Sequence, residues 1–163
     1  MLSQHGVHVL VDIRHFPSSR RLPHFSRTRL TTVLSASDMN YHWLESLGGH
    51  RKEGLANSPN DAVRKPSFRN YADHMLGDEF REGIDRLLEI AENKQTAIMC
   101  AEKSCRDCHR SLTSDFLTAS GIAVHHILSN GELATHEMTA GVKIRDGKVT
   151  YPELHPLFDT ADE

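Results

Sequence analysis

The sequence predicts an α/β fold, a mostly parallel sheet of about four strands flanked by helices, with a small C-terminal β-hairpin. Three observations carry this. Residues 7–13, V-H-V-L-V-D-I, and 96–101, T-A-I-M-C-A, are short runs apolar on both faces, as strands of a sheet covered on two sides must be. Residues 78–93 place Phe80, Ile84, Leu87, Leu88 and Ala91 at helical spacing, so helix alternates with strand. Asp146-Gly147, within residues 142–151, is the pair a tight type I′ turn prefers, and it predicts an antiparallel ribbon.

Taken in chain order, the first strand gives way to Pro17 and Pro23, after which Ser26 can cap a helix to about Leu34. Its apolar stripe is Leu30, Val33 and Leu34. Residues 39–43 read as the second strand. From Gly48 to Pro66 the composition turns to Gly, Asn, Pro, Lys and Arg, a connection much longer than the usual handful of residues, and long ordered loops tend to be functional. Ser67 opens a short helix to Met75, and the helix over 78–93 follows as scaffolding. Beyond the strand at 96–101, a capping box of Ser104 and Asp107 predicts a helix from about Cys105 to Ala119. Gly121 stops it, and residues 122–128 form the last strand of the parallel set. Neither internal repeats nor low-complexity tracts interrupt the pattern.

With 163 residues, 38% of them apolar, the chain is expected to form one α/β domain over 1–163 with a substantial core. It has no apolar run of the roughly eighteen residues a membrane span requires. Residues 1–6 lack the basic-then-apolar layout of a signal peptide, so a cytoplasmic protein without membrane association is expected. Cys100, Cys105 and Cys108 crowd into nine residues, wrong for a disulfide framework and right for a local thiol or metal feature. The formal net charge of −3 conceals an asymmetry: residues 1–70 hold ten basic and five acidic side chains, residues 71–163 nine and seventeen. Arg14, Arg20, Arg21, Arg27 and Arg29 fall between Ile13 and Ser37 without a single acid. Such a stretch either binds anions, phosphate foremost, or is a solvated basic face balanced by the acidic half.

In an open parallel sheet, ligands bind beyond the carboxyl ends of the strands, where helix N-termini and loops converge. The first strand ends in Asp12 with Arg14 two residues on, and the later one ends in Cys100 with Glu102 two residues on. Period-two geometry puts each pair on one side. The plainer account pairs Asp12 with Arg14, lets Glu102 satisfy a loop amide and treats Cys100 as a small buried hydrophobe. Residues 99–112, M-C-A-E-K-S-C-R-D-C-H-R-S-L, are the densest stretch, and a helix starting near Cys105 would present free amides to an anion beside Arg106, His109 and Arg110. Cys108 continues into an apolar face with Leu112 and Phe116, which favours core.

Four sharper templates fit this stretch imperfectly. Cys100 to Arg106 has the C-x5-R spacing of a phosphatase loop, but the loop has no glycine and adds a repulsive Glu102. Cys105 to Cys108 is a C-x-x-C at a helix start, as in thiol exchange. With His109 it becomes C-x-x-C-H, the haem-attachment string, which a cytoplasmic setting makes a coincidence. Zinc could recruit the three cysteines and His126, although on a helix the adjacent Cys108 and His109 would diverge by about 100°. No metal or cofactor is therefore expected.

Six blocks in order carry a family resemblance: V-D-I-R-x-F-P at 11–17, L-G-G-H-R at 47–51, F-R-N-Y-A at 68–72, M-C-A-E at 99–102, C-H-R at 108–110 and H-I at 126–127. Together they resemble the domain of unknown function 488 family over residues 7–151. The resemblance brings no established reaction. It implies attention to Asp12, Arg14, Pro17, Gly48, Gly49, Arg51, Phe68, Arg69, Tyr71, Cys100, Glu102, Cys108, His109 and Arg110, and it leaves Cys105 outside the blocks, against thiol exchange. Members usually begin with a strand carrying a T-I-G-H-S-like motif and a helix. This chain starts in what reads as the end of that helix, so the resemblance implies either a truncated start or a lost first strand, and with it reduced stability or a homodimer closing the gap.

The leading expectation is an enzyme acting on a phosphate-bearing substrate, a nucleotide or nucleic acid. In that reading Arg14, Arg51, Arg69 and Arg110 bind anionic oxygens, and Asp12 and Glu102 do acid-base work. Cys100 or His109 acts as nucleophile or proton shuttle, and Phe68 and Tyr71 stack a base. Two alternatives stand beside it: a non-catalytic nucleic-acid or partner-binding module, and a zinc or thiol-redox protein.

Overall fold

The computed structural model describes residues 1–18 and 22–153. Arg20 and Arg21 of the basic stretch lie outside the described residues. The fold is α/β, a three-stranded parallel sheet flanked by helices together with C-terminal antiparallel strand pairs. The chain gathers into two compact units: residues Met1–His50 with Asp78–Lys103, and residues Arg51–Gly77 with the chain from Ser104 onward.

The first unit is built on β1 (Val9–Asp12), which is buried along its whole length because both of its edges are taken. It pairs in parallel with β2 (Asn40–Trp43) on one side and β3 (Thr96–Met99) on the other, with Asp12 level with Trp43 and with Met99. That central place is what an uninterrupted apolar run secures, since only a strand covered on both faces can be apolar on both. Helix α1 (Arg27–Ser35) follows Ser26, which lends no side-chain cap, and returns the chain to β2. In the long helix of this unit, Asp78–Ala91, the acids Asp78 and Glu79 in the first turn suit the helix dipole. Phe80, Ile84 and Leu87 turn inward and are nearly fully buried. Each contributes about 1.5–3 kcal/mol of apolar burial, so this helix anchors the unit. Gly83 on the same face lets the 3-10 turn Glu45–Leu47 approach: a Cβ there would sit 2.5 Å from Ser46 Oγ and 2.8 Å from Leu47 Cδ2.

The second unit opens with the long connection, continued from the first. Asp73, on α2 (Pro66–His74), organises it by accepting from Leu55 N at 2.9 Å, Ser58 Oγ at 2.6 Å and Asn60 Nδ2 at 2.7 Å. Gly54 is required by the same contact, because a Cβ would stand 2.5 Å from Asp73 Oδ2. With the helix over Asp78–Ala91 as α3, the next is α4 (Arg110–Ala119), which starts five residues later than its capping box predicts. Ser104 Oγ instead accepts Arg106 N at 3.2 Å, closing a local turn rather than the helix. Gly121, at φ 81°, ends the segment in the left-handed region as expected. The strand predicted at 122–128 is shorter, β4 (His125–Ile127), and pairs antiparallel with β5 (Leu133–Thr135) in a two-stranded sheet. The polar turn between them permits a hairpin, which settles the pairing locally. The predicted ribbon is β6 (Lys143–Arg145) with β7 (Lys148–Thr150), and Asp146 and Gly147 both take positive φ, as a type I′ turn demands. No helix among the described residues is long and apolar enough to cross a membrane.

Candidate functional site

At the carboxyl end of the parallel sheet, Asp12 is completely buried. Arg14 doubles back onto it, donating from Nε to both carboxylate oxygens at 2.8 and 3.0 Å, while its backbone N–H reaches Asp12 Oδ1 at 3.0 Å. Tyr41 Oη donates to Asp12 Oδ2 at 2.7 Å, and Arg14 also holds the carbonyl of Phe25 at 2.8 Å. The bond to Asp12 keeps the Arg14 guanidinium more firmly protonated than usual, outweighing its burial. Burial first, and then the bond to Asp12, pushes the Tyr41 phenol well above its ordinary value. The plainer sequence reading, Asp12 paired with Arg14, is thus the geometry found, and both charges are consumed in placing the strand ends. Trp43 donates from Nε1 to Arg14 O at 2.8 Å under the guanidinium of Arg27, 4.8 Å from the ring centroid. Tyr41 and Trp43 went unnoticed in the sequence, although they alternate on one face of β2.

Just beyond β3, Cys100 is half-buried and Glu102 exposed. Also in this unit, His15, Phe16 and His50 form a ring cluster with centroids 4.4 to 5.7 Å apart, in which Phe16 is 63% exposed.

In the second unit, Arg69 is spent on the long connection, donating from Nε to Val63 O at 3.0 Å. Arg51 offers its carbonyl to Asn70 Nδ2 at 3.1 Å, and its side chain is half-buried. Phe68 is half-buried under Lys65 Nζ, 4.5 Å from its ring centroid. Tyr71 is fully buried, its hydroxyl 2.9 Å from Thr113 Oγ1 and its ring 4.7 Å from that of His109. It has no ring face left for a nucleobase, so the stacking role foreseen for it is corrected to one of core packing.

Cys108, His109 and Arg110 sit where the chain enters α4. Because the helix begins only at Arg110, Cys108 and His109 do not diverge as helical neighbours would, and Cys108 Sγ lies 3.6 Å from His109 Nδ1. Both are metal-ligating atom types, at a separation one ion could bridge. The buried sulfur also faces Arg110, whose backbone N–H and Nε lie 3.5 and 3.4 Å from it. These contacts fix the half-buried guanidinium at the positive end of the helix. None of the three cysteines is joined in a disulfide.

A family model described as Domain of unknown function DUF488 matches residues 1–117 of the 163. The chain belongs to the DUF488 family. The blocks resembling DUF488 up to Arg110 lie inside the match, while His126 and Ile127 lie beyond it. No curated protein and no solved structure gives a significant match.

The structure also joins residues that sequence spacing could not connect. Asp115 on α4 is fully buried and accepts from Tyr151 Oη at 2.8 Å, from Thr139 N at 2.9 Å and from His136 Nε2 at 2.9 Å. The other ring nitrogen of His136, Nδ1, lies 2.9 Å from His126 Nε2 on β4. Burial foremost, then the neighbouring His136, Arg110, Arg106 and His125, holds the His126 imidazole below its ordinary value. Burial and the Asp115 charge drive the Tyr151 phenol far above its own.

Proposed function

We propose that this DUF488 protein is a cytoplasmic enzyme acting on a phosphate-bearing substrate, a nucleotide or nucleic acid, held by cationic groups at the start of α4. The observation that carries this is the setting of Arg110, the first residue of α4, whose guanidinium is held by Nε 3.4 Å from the Cys108 sulfur at a helix N-terminus, with Arg106 four residues before it. Arginine forks suit phosphate oxygens, and the positive end of the helix favours an anion. Asp12, Arg14 and Arg69 serve here as positioning residues, because their polar atoms are spent on protein groups. His109 stands with Nδ1 3.6 Å from the Cys108 sulfur as the candidate nucleophile or proton shuttle, Arg51 adds charge and Phe68 offers a ring to a base. In the first unit, taken by itself, Cys100 and Glu102 are the reactive pair of the sheet edge. The test is calorimetric titration of the full chain with mononucleotides, inorganic phosphate and a short single-stranded oligonucleotide. Binding that weakens about tenfold or more in Arg110→Ala, an energy of the size a charge-assisted bond supplies, supports the reading. Unchanged binding in Arg106→Ala and Arg110→Ala refutes it.

A second reading, a non-catalytic nucleic-acid module, is favoured by the exposed Phe16 between His15 and His50 in a unit that also carries Arg27 and Arg29. It calls for affinity that falls steeply with salt and depends on Phe16 while ignoring Arg110.

A further inference from the structure

We propose that Asp115, His136 and His126 form a proton relay that makes His126 a general base, working through Nδ1 on the water or hydroxyl that attacks a phosphate ester. The substrate class rests on the reading above; the relay rests on its own geometry. An ionised carboxylate can only accept, so His136 donates from Nε2 to Asp115 Oδ1 at 2.9 Å. Its Nδ1 is then the acceptor, and His126 must donate to it from Nε2 at 2.9 Å. The lone pair of His126 is left on Nδ1, on a half-buried ring. At the inner end, Asp115 accepts from three donors on three separate segments: His136, Thr139 N and Tyr151 Oη. This is the orientation logic of an acid-histidine pair, lengthened by one imidazole.

The relay answers a specific difficulty. Burial first, and then the neighbouring His136, Arg110, Arg106 and His125, disfavours a proton held on His126. Passing the Nε2 proton inward moves that charge to His136, against the carboxylate of Asp115. In ester hydrolysis the attacking water forms the new P–O bond and gives its proton to His126 Nδ1, as the Nε2 proton shifts to His136 Nδ1. The bond from phosphorus to the leaving oxygen breaks, the two proton shifts reverse, and the leaving oxygen departs protonated. No electron donor or further reactant is needed. A base held neutral at physiological pH is ready for this work. The groups facing His126 are His136, Arg106, Arg110 and His125, with Asp115 and Tyr151 behind His136.

The test is a nitrogen-15 NMR titration of the imidazoles in the full chain, wild type, Asp115→Asn and Tyr151→Phe, together with hydrolysis of p-nitrophenyl phosphate and bis(p-nitrophenyl) phosphate. In the wild type the first proton taken up by the pair is expected to move the ring resonances of His126 and His136 together. Asp115→Asn should shift that midpoint down by about 1–3 pH units, the effect of losing a close opposite charge. Should Asp115→Asn fail to fold, Tyr151→Phe, which strips one donor from Asp115, should shift it upward. Independent titration of the two rings, or a midpoint indifferent to both variants, overturns the relay. Turnover of either ester that falls about 100-fold or more in His126→Gln supports the base. Coupled titration with neither ester hydrolysed upholds the relay and overturns the phosphate-ester substrate.

Discussion

Replacing Asp12 by Asn removes one charge from the buried pair and turns an amide donor toward a guanidinium. Arg14 is only 7% exposed and Asp12 not at all, so the remaining cation cannot recover hydration without opening the sheet. Breaking a buried pair from one side costs about 3–5 kcal/mol, because the surviving charge is left uncompensated. That is a large part of the roughly 5–15 kcal/mol that holds a domain folded. Urea unfolding followed by the fluorescence of Trp43 is the natural assay. Trp43 is the single tryptophan and donates to the carbonyl of Arg14, so the probe sits within the network it reports. At a slope of about 2 kcal/mol per molar urea, the midpoint should fall by roughly 1.5–2.5 M. Tyr41→Phe, which deletes one donor to the same carboxylate, should cost about 1 kcal/mol alone and almost nothing in the Asp12→Asn background. A midpoint shift below about 0.5 M for Asp12→Asn, equivalent on that slope to less than 1 kcal/mol, would refute the claim that this pair is structurally committed.

Stability should fall as the solution is acidified from neutrality. Burial, reinforced by Arg86 and Lys94, holds His42 below its ordinary value, and burial with neighbouring cations does so for His126. The folded state therefore resists protons that the unfolded chain takes up below about pH 6.5, so the stabilisation is complete above that pH and is lost as pH drops toward the folded values. Melting curves between pH 7.5 and 5 should show this decline, with a shallower slope in His42→Gln. Gly48→Ala should destabilise by about 1–3 kcal/mol, since its Cβ would meet the backbone at 2.8 Å from Glu45 O and 2.9 Å from His15 Cα; thermal melting checks it. Asp73→Ala should release the connection it gathers, raising amide exchange from Leu55 to Asn60 while β1 stays protected, as hydrogen-exchange mass spectrometry would show. If the homodimer expected from the family resemblance forms through the exposed Phe16 and Val33, sedimentation equilibrium should return twice the chain mass, and Phe16→Ser with Val33→Ser the monomer.

Local sequence was enough wherever one segment decides its own conformation. The two-sided apolar run at β1, the stripe of α3 and the Asp146-Gly147 turn announce themselves because side-chain period and backbone handedness are properties of neighbouring residues. The start of α4 was misjudged for the same reason in reverse: Ser104 had a nearer amide to satisfy than the helix offered. A polar residue's partner, by contrast, is chosen by folding. Asp12 and Arg14 were legible as a pair two residues apart, but Tyr41 completing them was not. Asp115, His136 and Tyr151 share no motif; they are separated by tens of residues, and only packing brings a buried carboxylate, two imidazoles and a phenol within hydrogen-bonding distance. Sequence determined which segments could be strand or helix, because that is a question of local pattern. Tertiary structure alone decided which polar groups pair with which, because a buried donor or acceptor must find its partner in space.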